Sequence, residues 1–228
     1  SGKSFAVKQL ASSVFQGEVP TLTFNLSQLA GPAALVGALH QVRDLVLGGR
    51  LPVVFWDEFD TSLVGEELGW LRYFLAPMQD GTFQDGQITH PIGRAIFVFA
   101  GGRAANVRQF SELLNETDRA AAKLPDFVSR LKGHLTVLGP NPAERGVDSF
   151  YPIRRALLIR SLLERLAPKL RRSDQPDVLD LDRGVLRALL QIPSYVHGAR
   201  SIESIIAMSQ LAGRTQFTRS SVPAAVQL

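Results

Sequence analysis

The run Leu51-Pro52-Val53-Val54-Phe55-Trp56 is almost unbroken in apolar side chains and stops abruptly at Asp57 and Glu58. A strand with one solvated face alternates polar and apolar residues, so a run without alternation predicts a strand covered on both faces. Ala95 to Ala100 is a second run of this kind. Val19 to Leu26 alternates instead, with Leu22, Phe24 and Leu26 apolar and Thr21, Thr23 and Asn25 between them. Helical spacing fills the intervals from about Pro32 to Leu47 and near Glu66 to Leu75. It also covers residues 5 to 15, where Phe5, Leu10, Val14 and Phe15 recur before Gly17 ends the pattern. Strands alternating with helices predict an α/β fold on a parallel, doubly wound sheet. Asp80-Gly81 and Asp85-Gly86 mark turns ahead of the second buried run.

Strand signals stop after Leu135 to Leu138, at the breaker-rich Gly139-Pro140-Asn141-Pro142. Helices follow at about Tyr151 to Ala167, Arg183 to Gln191 and Ala199 to Ala212, separated by Pro168, by the polar Ser173 to Pro176 stretch and by Pro193. The reading is an α/β domain over residues 1–140, an all-helical domain over 141–212 and a polar tail over 213–228. At 228 residues and 45% hydrophobic content the chain can bury a sizeable core. No apolar run approaches the roughly 18 residues that span a bilayer, and no secretory leader opens the sequence, so a soluble, cytoplasmic protein is expected. Cysteine is absent, which removes disulfides, thiolate zinc sites and cysteine nucleophiles. The net charge of +4 is spread along the chain rather than gathered into one basic segment.

Ser1-Gly2-Lys3-Ser4 stands directly before a helix and matches the last residues of a phosphate-binding loop, G-K-[ST]. Amides at a helix N-terminus, here beginning at Gly2, and the ammonium of Lys3 can hold phosphate oxygens, while the Ser4 hydroxyl can ligate magnesium. The earlier glycine of that loop and the strand before it would precede Ser1, so the sequence reads as starting inside the loop. Asp57 and Glu58 supply the complement. At the C-terminal end of a parallel strand, Asp57 can hold magnesium and Glu58 can polarise a water aimed at the terminal phosphate. The bland reading of the same residues is a solvated acidic loop holding Asp57, Glu58 and Asp60.

With these residues in this order the sequence resembles the AAA+ ATPases, members of the P-loop superfamily, and its motif pattern is most similar to Clp-type unfoldases. Leu75 to Gly86, running into the Ala95 to Ala100 strand, resembles the approach to their sensor 1 strand. Pro125-Asp126-Phe127-Val128-Ser129-Arg130-Leu131 is similar to the box carrying their arginine finger, and His197-Gly198-Ala199-Arg200 to their sensor 2 at the start of a lid helix. The resemblance implies a P-loop sheet lacking its first strand, followed by a helical lid. It further implies binding and hydrolysis of ATP with magnesium, a ring-like oligomer such as the hexamer of the family's habit, and remodelling of a macromolecular client. Arg130 would reach nucleotide on a neighbouring subunit, and Arg200 would sense it from the lid. Arg103 and Arg119 are the competing arginines. Two departures stand out: Phe99-Ala100-Gly101-Gly102 replaces the usual polar sensor 1 side chain, for which Arg103 or Asn106 could substitute, and Leu26 to Gly37 has no pore-loop aromatic. A nucleotide-dependent switch or scaffold with weak hydrolysis is therefore a rival reading.

The remaining constellations read as structural. His40, His90, His134 and His197 are scattered, none at helical i, i+4 spacing to another metal ligand, so a zinc site is not expected. No G-x-S-x-G elbow occurs. Arg154, Arg155, Arg160, Arg165, Lys169, Arg171 and Arg172 form the most basic stretch. They predict a solvated amphipathic face, with a nucleic-acid surface of a DNA loader or initiator as the sharper alternative. Trp56 and Trp70 are expected in the core.

Overall fold

The buried runs of the sequence become neighbouring strands of a parallel sheet. In the computed structural model, which describes Lys3, Val7, Gln9, Ser13 and residues 19–143 and 148–224, strands β1 (Thr21–Asn25), β2 (Val53–Asp57) and β5 (Ile96–Ala100) pair in the order β1-β2-β5. Asn25 and Ala100 both stand opposite Asp57, so the three strands end in register. Helix α1 (Pro32–Leu47) makes the crossover from β1 to β2, with Pro32 in its first turn, where a missing N–H costs nothing. Val53 to Trp56 are all buried, as their unbroken apolar run requires. Trp56 is fully buried, stacks on Phe24 at 5.0 Å and meets Phe74 and Phe97 edge-on. The expected helix over residues 5–15 falls mostly outside the described residues.

Between β2 and β5 the chain departs from the sequence reading. The helix expected near Glu66 to Leu75 is instead a Leu63–Glu66 bridge, a 3-10 turn over Leu71–Phe74 and a short helix α2 (Leu75–Gln79). The two Asp-Gly turns then frame an antiparallel hairpin of β3 (Thr82–Asp85) and β4 (Ile88–Pro91). Gly86 takes a positive φ of 60° as the first residue of its two-residue loop, a backbone a side chain resists. After β5 come α3 (Val107–Ser111), α4 (Glu116–Ala121) and α5 (Leu124–Arg130). Leu135 to Leu138, read as the last strand of the sheet, forms no ladder with any described strand, and Leu135 is 71% exposed. Strand propensity without a partner edge leaves the backbone in irregular structure.

The chain divides into two compact units between Val137 and Leu138. The second contains α6 (Tyr151–Leu166), α7 (Arg183–Gln191) and α8 (Ala199–Met208). Among its described residues extended pairing is limited to single bridges, Arg171–Leu179 and Leu181–Phe217. The segment read as a polar tail belongs to this unit: Phe217 and Ser221 are fully buried, Asp182 N–H donates to the Phe217 carbonyl at 2.9 Å, and Gln210 N–H to that of Ser221 at 2.8 Å. Phe217, with Val222 packed against the same cluster, anchors this otherwise polar segment in the core.

Arg155 organises this unit from inside. Its side chain is fully buried, with Nε donating to the Pro140 carbonyl at 2.7 Å and Nη1 to those of Leu190 and Ile192 at 2.8 and 2.5 Å. The guanidinium also lies 4.8 Å from the Tyr151 ring and 4.9 Å from that of Tyr195. It thus satisfies carbonyls at the C-terminal end of α7, where helix acceptors lack partners. Burial pushes the Tyr195 phenol up from its ordinary value, and its hydroxyl donates to the Leu189 carbonyl at 2.6 Å. Nearby, Arg154 grips Asp148 with two guanidinium nitrogens, and that contact, aided by the Ala143 and Phe150 N–H groups, holds the Asp148 carboxyl well below the usual carboxylate range.

Replacing Arg155 by Leu removes the donor from three carbonyls, that of Pro140 buried and those of Leu190 and Ile192 half-buried, and is expected to destabilise the second unit by about 3 kcal/mol in urea unfolding, with Lys recovering little because it lacks the planar fork. The depressed Asp148 adds stability that is complete above the unfolded carboxylate value of about 4 and is lost as pH falls below it. Asp148→Asn should therefore lower stability at pH 7 and flatten the acid limb measured between pH 4 and pH 2.

Candidate functional site

Because β1, β2 and β5 are parallel, their C-terminal ends deliver Asn25, Asp57 and Ala100 to one edge of the sheet, the edge at which ligands of open parallel sheets bind. Asn25 is committed locally: its side-chain oxygen accepts from the Ser27 amide at 2.9 Å and caps the following turn. Asp57 is half-buried, and its Oδ1 accepts the N–H of Glu58 at 3.1 Å. Glu58 is exposed and carries a positive φ of 52°, which bends the chain sharply off the strand. Among the described residues neither carboxylate pairs with a cation, so both remain open to an added ligand.

Lys3 comes to this same edge. Its Nζ donates to the carbonyl of Gly101 at 2.5 Å, one residue beyond Ala100, the partner of Asp57 across the β2–β5 ladder. A side-chain atom added at Gly102 would lie 3.7 Å from the ammonium. Gly2 and Ser4, named with Lys3 as phosphate and magnesium ligands, lie outside the described residues.

Asp60, assigned no role by the sequence reading, is the anchor of the edge. It is buried, and its Oδ2 accepts the consecutive amides of Gly102 and Arg103 at 2.8 and 2.7 Å. Consecutive N–H groups of this kind form an anion cradle, and an internal carboxylate fills this one. The fit explains Gly101: a Cβ there would stand 2.5 Å from Asp60 Oδ2 and 2.8 Å from Phe59 Cε1. Gly101, just past the end of β5, is thus a steric requirement of the Asp60 clamp. The signal available in the sequence was the third acid of Asp57-Glu58-Phe59-Asp60 together with a Gly-Gly pair at the end of the next strand.

The substitutes considered for that position are engaged elsewhere. Asn106 caps α3, its Oδ1 accepting from the Gln109 amide at 2.9 Å, and Arg103 pairs with Glu67 at 3.2 Å. Arg103 and Glu67 line a shallow, open depression with Asp60, Thr61 and Ser62. Arg130, the last residue of α5, directs Nε to Gln79 at 2.9 Å and Nη1 to the Asp126 carbonyl at 2.6 Å, so it is held within its own unit. Arg119 places an Nε without a hydrogen-bond partner in the interior and is less available than the sequence suggests. In the second unit Arg200 is exposed in the first turn of α8, after Gly198 with φ 56°.

The basic stretch is largely neutralised. Arg154 pairs with Asp148, Arg160 and Arg171 with Glu164, Arg165 with Glu203 and Arg172 with Asp174, while Arg155 is buried. A surface built to collect phosphates leaves its cations unpaired. No helix among the described residues is long and apolar enough to cross a membrane. Comparison with protein-family models gives no match for this sequence, and comparison with curated proteins gives none either.

Gly101→Ala should force the Asp60 carboxylate and the Phe59 ring apart and lower the stability of the first unit by about 2 kcal/mol, read by thermal or urea unfolding. Gly102→Ala, with its nearest neighbour the flexible end of Lys3, is expected to cost markedly less.

Proposed function

We propose that the chain is an ATP-hydrolysing module of the AAA+ type, within the P-loop superfamily, that works in an oligomer to remodel a macromolecular client. One observation carries this reading: the Lys3 ammonium is hydrogen-bonded to the Gly101 carbonyl just past β5, while Asp57 ends the neighbouring strand β2, Glu58 follows it, and among the described residues neither carboxylate has a cation partner. Lys3 offers positive charge to phosphate oxygens, exchanging its hydrogen bond to the Gly101 carbonyl for a charge-assisted one. Asp57 and Ser4 offer oxygens to magnesium, which supplies charge neutralisation on the phosphates when bound. Glu58, next along the chain, is the base that orients and polarises water. Gly2 contributes a backbone amide. Arg130 acts across a subunit interface by exchanging Gln79 and Asp126 for phosphate, and Arg200 acts from the helical unit.

A second reading, a nucleotide-dependent switch or scaffold with slow hydrolysis, is favoured by Ala100-Gly101-Gly102, which offers no polar side chain to hold the attacking water. A DNA loader or initiator draws less support, because the arginines that suggested it are paired with carboxylates.

Magnesium-dependent ATP turnover decides among these. Glu58→Gln is expected to lower kcat by about a hundredfold or more while nucleotide still binds, and Lys3→Ala to weaken binding by about tenfold or more. Binding without turnover in the unmodified protein would favour the switch. Turnover indifferent to Glu58→Gln would defeat the assignment of the site.

A further inference from the structure

Two histidines that are fifty residues apart in sequence meet on the first unit, away from the sheet edge. His40 projects from α1, Asp85 closes β3 and His90 lies on β4, and one ligand atom from each falls within 4.8 Å of the other two. His40 Nε2 is 3.0 Å from Asp85 Oδ2. The rings of His40 and His90 are 4.9 Å apart, and both rest on the buried ring of Phe83, at 4.8 and 5.4 Å. The hairpin is held against the helix nearby, since a Cβ at Gly93 would lie 2.5 Å from Val46 Cγ1. Both imidazoles are thus half-buried and oriented by packing before any ligand arrives.

We propose that His40, Asp85 and His90 form a binding site for a divalent transition-metal ion of the zinc class. Two imidazoles and one carboxylate suit zinc and its neighbours and suit calcium or magnesium poorly. The 3.0 Å separation of His40 Nε2 and Asp85 Oδ2 is close to the ~3.3 Å between two ligands on a tetrahedral ion with bonds of about 2.0–2.1 Å. His90, whose ligand atom lies within 4.8 Å of the other two, closes on the ion by a rotation of its ring. Three protein ligands leave a position for water.

Arg43 makes this proposal specific. Its Nη1 donates to His90 Nδ1 at 3.0 Å. A guanidinium only donates, so that Nδ1 carries its lone pair and the neutral ring keeps its proton on Nε2. Neither nitrogen can then serve a metal: Nδ1 is occupied, and freeing Nε2 would move the proton to Nδ1, against the Arg43 N–H. Binding therefore displaces Arg43, which keeps its contact with Asp44 at 3.2 Å. Arg43 and the ion compete for His90.

Titration of the metal-stripped protein with Zn2+ by calorimetry, and with Co2+ by visible absorption, tests this. The expected result is one ion per chain, affinity lowered at least tenfold by His40→Ala, Asp85→Asn or His90→Gln, unchanged affinity in a His134→Ala, His197→Ala double variant, and affinity raised at least threefold in Arg43→Gln. Thermal unfolding without metal checks that each variant folds. Absence of Zn2+ binding at about 100 μM, or affinity indifferent to His40→Ala and His90→Gln, overturns the site. If the histidine variants do not fold, Arg43→Gln decides, and equal or weaker Zn2+ affinity in that variant overturns the proposal.

Discussion

The geometry of the first unit depends on the burial of β2. Hydrogen-bonded on both sides and covered on both faces, the strand has no freedom to shift by a residue without exposing Trp56 and burying Asp57. Its register therefore fixes where the carboxylates emerge. Asp60 carries that order one step further. By holding the amides after β5 it ties the ends of two strands together, and Lys3 is hydrogen-bonded to the carbonyl of the same loop. Asp60 thus sets the shape of the edge on which Asp57 and Glu58 stand.

The second unit solves a different problem. Three helices of 16, 9 and 10 residues cannot bury every backbone acceptor at their ends. Arg155 supplies donors from the interior at the end of α7, and its charge is spread against two tyrosine rings. Most of the neighbouring arginines are paired with carboxylates. Charge density in the sequence therefore overstates the positive field at the surface, because pairing depends on residues far away, such as Glu203 for Arg165.

The hairpin between β2 and β5 shows how a site can be invisible in a linear reading. His40 and His90 have no useful sequence spacing, and Asp85 sits in a turn signal that reads only as a turn. The three meet because a two-residue loop reverses the chain beside the helix Pro32–Leu47. The same fold that brings Asp57 and Glu58 to one edge gathers His40, Asp85 and His90 between α1 and the hairpin.

Local pattern determined much of this protein. α1 and α7 begin and end where periodicity, Pro32 and the capping Asp182 put them, and the apolar runs became β2 and β5 within two residues, although β5 is half-buried up to Ala100 where the pattern predicted burial on both faces. Helix period and apolar runs are written in neighbouring residues. Asp57 and Glu58 were legible for the same reason, as charges that end an apolar run. Tertiary structure alone decided the rest: that Leu135 to Leu138 makes no ladder, that Phe217 draws the last segment into a core, that Asp60 turns inward, that Arg130 faces Gln79 and that His40 meets His90. Each of these turns on whether a partner distant in sequence is present. A hydrogen bond or contact between distant residues leaves no periodic trace in either segment.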